Sequence, residues 1–145
     1  MAEIRIRAVE AEDGDNGFFK ILSQLTHAPV VPRAKFAELV RKERADGSRT
    51  TIVAVTAEGS VVATGAVMME HKYIRGGGIC GHIEDIVVDS EFRKAQLGKK
   101  IISKLVEISR EKGCYKVILD CAEDNAPFYE KCGFEKKECQ MALYF

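Results

Sequence analysis

Apolar and polar positions follow two different rhythms along the chain, and the changes between them predict the order of its elements. Residues 50–57 and 61–70 are predicted strands joined by the tight turn 58–60, and the apolar run 79–88 predicts a central strand. Residues 97–112 carry apolar side chains at helical spacing. Shorter patterns predict strands at 4–9, 115–121 and 135–144, and helices from Asp13 or Asp15 through Leu25, at 35–44 and at 125–132. Strands followed by a β-α-β-α-β half predict one domain over 1–145 with an α+β, mixed and layered architecture.

A basic turn follows the central strand and leads directly into the long helix. Residues 93–100 read Arg-Lys-Ala-Gln-Leu-Gly-Lys-Lys. The first turn of a helix has backbone N–H groups without partners and carries the positive end of the helix dipole, so this order predicts an anion site. Neither the P-loop pattern nor the dinucleotide-binding glycine fingerprint occurs in the sequence. We therefore expect a phosphorylated cofactor bound in another way.

The turn resembles the acetyl-CoA loop of the GNAT superfamily of N-acetyltransferases, Arg/Gln-x-x-Gly-x-Gly/Ala after a strand. Arg93 and Gly98 match this pattern, whereas Gln96 replaces the first glycine and lacks the freedom of glycine at positive φ. The superfamily also has a short helix that ends in Phe-Tyr-x-x-x-Gly-Phe, which this chain reproduces with Phe128, Tyr129, Gly133 and Phe134. The resemblance implies the GNAT fold, a central and mostly antiparallel mixed sheet flanked by helices.

Three further segments, 81–86, 114–116 and 128–134, resemble the members of this superfamily that acetylate glucosamine 6-phosphate, as does the upstream piece 22–26. The resemblance runs from about residue 18 to the C-terminus. It implies direct transfer of the acetyl group of acetyl-CoA to the 2-amino group of that sugar in a ternary complex, within UDP-N-acetylglucosamine synthesis. It also implies a homodimer with shared active sites.

The reaction requires a neutral, positioned amine and a proton for the leaving thiolate. Tyr129 is the candidate acid, because the resemblance places it beside the sulfur of CoA; as an alternative, it only packs the short helix. Glu84 and Asp85 supply carboxylates, and strand alternation predicts that their side chains lie on opposite faces. Asp120, at a strand end, either polarises the amine or caps a turn. The identity of the general base stays open among these groups.

The resemblance implies two sets of binding residues. Asn125 either contacts the pantetheine arm or caps the short helix, and both roles are compatible. Candidate cofactor contacts are Ile86, Val87, Val88, Arg93, Lys94, Ala95, Gln96, Leu97, Gly98, Lys99, Asn125 and Tyr129. Candidate substrate contacts are Thr26, Lys72, Arg75, Glu84, Asp85, Ile86, Tyr115, Lys116 and Glu138. Lys72 and Arg75 are the expected phosphate partners; as an alternative, they only solubilise a loop.

Tyr144 departs from the expected pattern. Fungal and animal enzymes of this type have an arginine near this position that reaches the sugar phosphate across a dimer. Loss of such a charge-assisted contact costs about 1.5–3 kcal/mol. Three consequences stay open: compensation by Lys72 and Arg75, weaker phosphate affinity, or a different small amine as acceptor. A CoA-binding module without catalysis is the alternative of another class.

Composition excludes several other functions. Lys plus Arg and Asp plus Glu both number 22, so a net charge near zero argues against nucleic-acid and membrane partners. The N-terminal residues lack the apolar core of a secretory signal, and the last three are not a peroxisomal tripeptide, so we expect an intracellular, cytoplasmic protein. The five cysteines form no Cys-x-x-Cys pair, which predicts reduced thiols and no metal.

Overall fold

A single five-stranded sheet forms the centre of the computed structural model, which describes residues 3–145 apart from the side chains of Lys94 and Ala95. The strands lie in the order of the chain, and every pair is antiparallel except the last, which is parallel. They are β1 (Ile4–Ala8), β2 (Arg49–Thr56), β3 (Val61–His71), β4 (Ile79–Val88) and β5 (Cys114–Leu119). The helices are α1 (Phe18–Leu22), α2 (Arg33–Asp46), α3 (Ile74–Gly77), α4 (Leu97–Glu111) and α5 (Ala126–Lys131). This confirms the predicted mixed and mostly antiparallel sheet flanked by helices.

Two apolar cores cover the two faces of the sheet. On one face, α4 buries an apolar stripe that includes Leu97, Ile101 and Leu105, each no more than 1% exposed. On the other face, α1 and α2 close a second core. Phe18, Phe19 and Phe36 pack there with ring centroids 5.1 to 5.3 Å apart. The sheet is therefore a middle layer, and its edges and strand ends carry the polar chemistry.

The prediction that Asp13 or Asp15 caps the first helix is wrong. Residues Ala11–Asp15 form a separate 3₁₀ helix, and Gly17, with φ of 105°, precedes α1. Asp13 is buried and accepts hydrogen bonds of 2.9 Å from both terminal nitrogens of Arg7. The bidentate, charge-assisted hydrogen bonds from Arg7 are stronger than those that the backbone N–H groups of a helix N-terminus would provide.

The predicted last strand is also wrong. Residues 135–145 form neither helix nor strand in this chain. The apolar run at 141–145 suggested a strand, but a strand persists only beside a neighbour that pairs with its backbone hydrogen-bonding groups. The apolar side chains of the segment are therefore exposed: Met141 93%, Leu143 81%, Tyr144 91% and Phe145 114%.

A β-bulge interrupts the pairing of β3 with β4. Thr64 pairs with Val87 and Ala66 pairs with Glu84, so β4 has one residue more than β3 over this stretch. Asp85 lies in the bulge with φ of 55°, a left-handed conformation that is uncommon for residues other than glycine. The extra residue changes the face of the sheet to which the following side chains of β4 point.

Gly65 faces the bulge from β3 and makes room for it. A Cβ atom at this position would lie 2.5 Å from Cδ1 of Ile86 and 2.8 Å from Cγ2 of Ile101. Ile86 therefore enters the space above a missing side chain and packs against the core under α4.

The sheet opens between β4 and β5. Their parallel pairing ends at Ile83 and Leu119, whereas β4 continues to Val88. Over residues 84–88, the edge of β4 that faces away from β3 has no strand beside it in the described chain. The opening is flanked by the start of α4 and by α5, because Phe128 lies against Gly98. None of the helices over residues 3–145 has the length and apolarity to cross a bilayer.

Candidate active site

His82 lies at the base of the opening, between carboxylates from three strands or their ends. Its Nδ1 is 3.0 Å from Oε2 of Glu70 on β3. Its Nε2 is 3.1 Å from Oε1 of Glu84, farther along β4, and 3.4 Å from Oδ2 of Asp120, just after β5. Because Glu84 and Asp120 are each about two-fifths exposed, at 37% and 41%, they can meet a ligand in the opening.

The Nε2 atom of His82 is buried, yet no group among the described residues meets the geometry of a hydrogen bond to it. Carboxylate oxygens of Glu84 and Asp120 lie 3.1 and 3.4 Å from this atom and act on it through their charge. Burial lowers the pKa of His82, but the hydrogen bond with Glu70 and the charge of Glu84 outweigh it. The net pKa of His82 therefore lies above the ordinary value of histidine.

Glu84 and Asp85 act on the same side of the sheet, so the prediction of opposite faces is wrong. Arg49, Met68 and His82 occupy one register row and share a face. Glu84 contacts His82, and Oδ2 of Asp85 lies 3.6 Å from the guanidinium of Arg49. The extra residue in the bulge breaks the alternation on which the prediction depended.

The binding atoms of His82, Glu84 and Asp120 all lie within 4.8 Å of one another. A protonated imidazole between two carboxylates accounts for this spacing by charge alone. The predicted absence of a metal stays a prediction.

Tyr129 lies on α5, packed among aromatic rings. Its ring centroid is 5.0 Å from that of Phe128 and 6.1 Å from that of Phe134. Burial raises the pKa of Tyr129 above the ordinary value of tyrosine. The phenol therefore keeps its proton at neutral pH, which is the state that a general acid requires.

The predicted cofactor loop forms a left-handed turn at the start of α4. Gln96 has φ of 56° and ψ of 30°, so this position adopts the conformation of the glycine that it replaces. The backbone N–H groups after it, from Leu97 to Lys99, begin the helix and have no partners within it. Gly98 admits close neighbours, because a Cβ there would lie 3.3 Å from the ring of Phe128.

The other predicted cofactor residues surround this turn. Arg93 and Lys99 are exposed, and the side chains of Lys94 and Ala95 lie outside the described part. Asn125 precedes α5, but its side chain makes no capping hydrogen bond, so its amide is available to a ligand. Ile86, Val87 and Val88 form the free edge of β4.

A family model described as Acetyltransferase (GNAT) family matches residues 18–134. The chain belongs to this family. It is 45% identical to the glucosamine 6-phosphate N-acetyltransferase of Arabidopsis thaliana over 148 aligned residues, which cover 100% of this chain and 99% of that protein. It is 41% identical to the enzyme of the same name from Trypanosoma brucei brucei, with 99% and 97% covered. The crystal structure of the Arabidopsis thaliana enzyme superposes with a TM-score of 0.95 at 43% identity, covering 99% of both chains. The resemblance stated from the motifs is thus confirmed.

Beside the acidic cluster of this GNAT domain lies a group of cations. The guanidinium of Arg75 is 5.1 Å and the Nζ of Lys116 is 5.7 Å from the ring centroid of Tyr115. Lys72 connects the two groups, with its Nζ 4.0 Å from Oε1 of Glu70. Arg75 itself has φ of 56°, a strained backbone of the kind found at ligand sites.

Three predicted positions lie apart from these groups. Thr26 is exposed in the turn after α1, which is tied to the end of β4 because Gln24 accepts a hydrogen bond of 3.1 Å from the N–H of Ser90. Glu138 and Tyr144 lie in the exposed segment 135–145. All five cysteines are free.

Sequence reasoning missed His82 and Glu70. A polar residue two positions before Glu84 on an apolar strand was the available signal, since alternation places both on one face. Glu70 was not identifiable in this way, because its contact depends on the register between β3 and β4. The large cavity of about 940 Å³ beneath α2 contains none of the candidate residues; Phe19, Phe36 and Val40 are among those lining it.

Proposed function

We propose that this chain transfers the acetyl group of acetyl-CoA to the 2-amino group of glucosamine 6-phosphate, giving CoA and the N-acetylated sugar for amino-sugar nucleotide synthesis. The observation that carries the proposal is the adjacency of two charged groups, which Glu70 connects through its contacts with Lys72 and His82. An acidic group, Glu84 with Asp120, suits an ammonium, and a cationic group, Lys72 with Arg75, suits a phosphate. An amino sugar phosphate carries both charges. The names of the relatives give independent support.

Acetyl-CoA is the cosubstrate of the GNAT family, and the residues present fit it. Its pyrophosphate suits the N-terminus of α4 after Gln96, and its amide-containing arm suits the free edge of β4 over residues 86–88. The amide of Asn125 is available to that arm.

The carboxylates and the tyrosine have different roles in the reaction. Glu84 and Asp120 hold the amine by charge and favour its approach to the thioester carbonyl. Tyr129 is protonated at neutral pH, as an unperturbed tyrosine already is, and burial raises its pKa further. It donates this proton to the departing thiolate. Direct attack needs no covalent intermediate on the enzyme, so the free cysteines take no part.

The exposed apolar segment supports a homodimer with shared sites. Four large apolar side chains between Met141 and Phe145 are each at least 81% exposed in one chain. Burial of such surface is favourable by about 25 cal/mol per Å², so we expect a second copy of the chain to bury these side chains in a dimer interface. A shared site would also bring Glu138 toward a substrate.

Tyr144 favours a second candidate function, acetylation of another small amine. A tyrosine at this position contributes no positive charge to a phosphate, whereas an arginine would. Glucosamine 6-phosphate remains the stronger candidate, because Lys72 and Arg75 already provide cations beside the acidic group.

Release of CoA thiol from acetyl-CoA tests the proposal. Glucosamine 6-phosphate, glucosamine and a panel of small amines are compared at equal concentrations. Saturable release with the phosphorylated sugar, and little with glucosamine, is the expected result. Release with another amine alone would support the second candidate, and acetyl-CoA binding without release would indicate a non-catalytic module.

A further inference from the structure

We infer that His82 relays the proton released by the acceptor amine from the carboxylates in the opening to Glu70 and then to water. The inference deepens the proposed function and rests on it. Its basis is geometric: the imidazole lies between Glu84 and Asp120 on its Nε2 side and Glu70 on its Nδ1 side, at 3.1, 3.4 and 3.0 Å.

The placement of the three carboxyl groups about the ring gives the relay two ends, one at Nε2 and one at Nδ1. Glu84 and Asp120 are partly exposed toward the opening, and Glu70 is 37% exposed on the other side of the ring. The side chain of His82 is only 17% exposed, and its Nε2 is buried. The substrate amine therefore reaches His82 only through a carboxylate, which makes His82 a positioning residue and not a catalytic one.

The Nε2 atom of His82 has no hydrogen-bond partner among the described residues. In the neutral ring with a proton on Nδ1, the N–H group donates to Glu70 and the Nε2 lone pair lies between two negative charges. That arrangement is unfavourable until Nε2 takes a proton, so the ring is a strong proton acceptor. The raised pKa of His82 has the same cause.

The proton balance of acetyl transfer leaves one proton to be removed. An ammonium that becomes an amide loses two protons; one goes to the CoA thiolate through Tyr129. The other passes from nitrogen to Glu84 or Asp120 and then to Nε2 of His82. The Nδ1 proton moves in the same step to Glu70 and from there to water. After the product leaves, the ring regains a proton on Nδ1 and loses the one on Nε2 by exchange with water, which restores the starting tautomer. No bond of the enzyme other than N–H and O–H bonds is broken.

This path makes turnover depend on pH with a definite sign. The relay accepts a proton only when His82 is neutral, so kcat rises as pH increases through the pKa of His82. The charged groups that raise this pKa are Glu70, Glu84 and Asp120, against the opposing effect of burial. Lys72 faces the same cluster, with its Nζ 4.0 Å from Glu70. Glu70 raises that pKa and also receives the relayed proton, so Glu70→Gln lowers kcat and shifts its acid limb to lower pH.

The test compares kcat–pH profiles of the full-length wild type, Glu70→Gln, His82→Gln, His82→Ala and the control His71→Gln, a change at an exposed histidine on the same strand as Glu70. Glucosamine 6-phosphate is kept saturating in every profile, so its own titration is common to all of them. We expect His82→Gln to lower kcat about 10- to 100-fold with the KM for acetyl-CoA unchanged. We also expect imidazole to restore part of the activity of His82→Ala, and the control to match wild type.

The outcomes separate the two proposals. A wild type that releases no thiol with any amine ends the proposed function and the relay with it. An active wild type whose His82→Gln variant keeps its kcat and acid limb overturns the relay alone. A variant with lower kcat, an unchanged profile shape and no rescue by imidazole has only lost structural support, which also overturns the relay.

Discussion

The close fit of Gly65 against the β4 bulge leads to a quantitative prediction for Gly65→Ala. The added methyl would lie 2.5 Å from Cδ1 of Ile86, 2.8 Å from Cγ2 of Ile101 and 3.1 Å from Cδ1 of Leu105. Carbon atoms in contact prefer about 3.5–4.0 Å, so the nearest atom must move by about 1 Å. Two of the three neighbours belong to the fully buried stripe of α4, which cannot shift freely.

Overpacking of this kind costs about 1–3 kcal/mol. For a domain of this size each kcal/mol lowers Tm by about 2–4 °C, so we expect a fall of about 2–12 °C. Because the displaced Ile86 follows the bulge that positions Glu84 and Asp85, kcat falls as well. The affinity for acetyl-CoA should change less than kcat, because the N-terminus of α4 is not among the atoms that the added methyl displaces.

Urea unfolding of a double-mutant cycle with Ile86→Val measures the effect. Removing Cδ1 costs about 0.5–1.5 kcal/mol alone but relieves the closest contact, so the double variant is more stable than the sum predicts by about 1 kcal/mol. Ile83→Val is the matched control, a buried isoleucine on the same strand that contributes none of the three atoms nearest to the added methyl. Full stability of Gly65→Ala, or equal coupling with both isoleucines, would refute the packing argument.

Three further predictions concern the cofactor and substrate groups. Tyr129→Phe should lower kcat about tenfold or more and leave the Kd of acetyl-CoA unchanged, because only the leaving thiolate loses a partner; unchanged turnover in stopped-flow or thiol assays would exclude the acid role. Lys72→Ala and Arg75→Ala should each raise the KM for glucosamine 6-phosphate about tenfold with acetyl-CoA binding unaffected, whereas equal losses for both ligands in calorimetry would indicate misfolding. Gln96→Gly should raise the unfolding free energy by about 0.5–1 kcal/mol. Glycine removes left-handed strain of about 1–2 kcal/mol, but part of this gain is lost because glycine gives the unfolded chain more conformational entropy. An equal gain in Gln96→Ala, which keeps a Cβ atom, would contradict this explanation.

The elements with strong local patterns were predictable from the sequence. The bounds of β4, 79–88, are those predicted, because an apolar run after a glycine-rich turn needs no distant information. The stripe on α4 was equally clear, since its buried residues recur at helical spacing. The cofactor loop connects β4 to α4, so its position was predictable once the strand and the helix were located.

The active-site geometry depended on contacts between distant parts of the chain. The bulge at Asp85 exists because β3 and β4 pair with unequal residue counts, and neither strand alone indicates it. The contact of Glu70 with His82 follows from that same register. The segment after residue 134 has the pattern of a strand but no partner in this chain, so propensity alone misled.

The sequence by itself determined the strand β4, the long helix α4, the cofactor loop between them, and the family to which the chain belongs. Those features depend on the periodicity of side chains and on short motifs, both of which are local. Only the tertiary structure decided how Glu84 and Asp120 converge on His82, that Asp85 leaves the alternation, and that Asp13 pairs with Arg7. These arrangements arise from register and packing between residues far apart in the chain, where a shift of one position reverses the face on which a side chain lies.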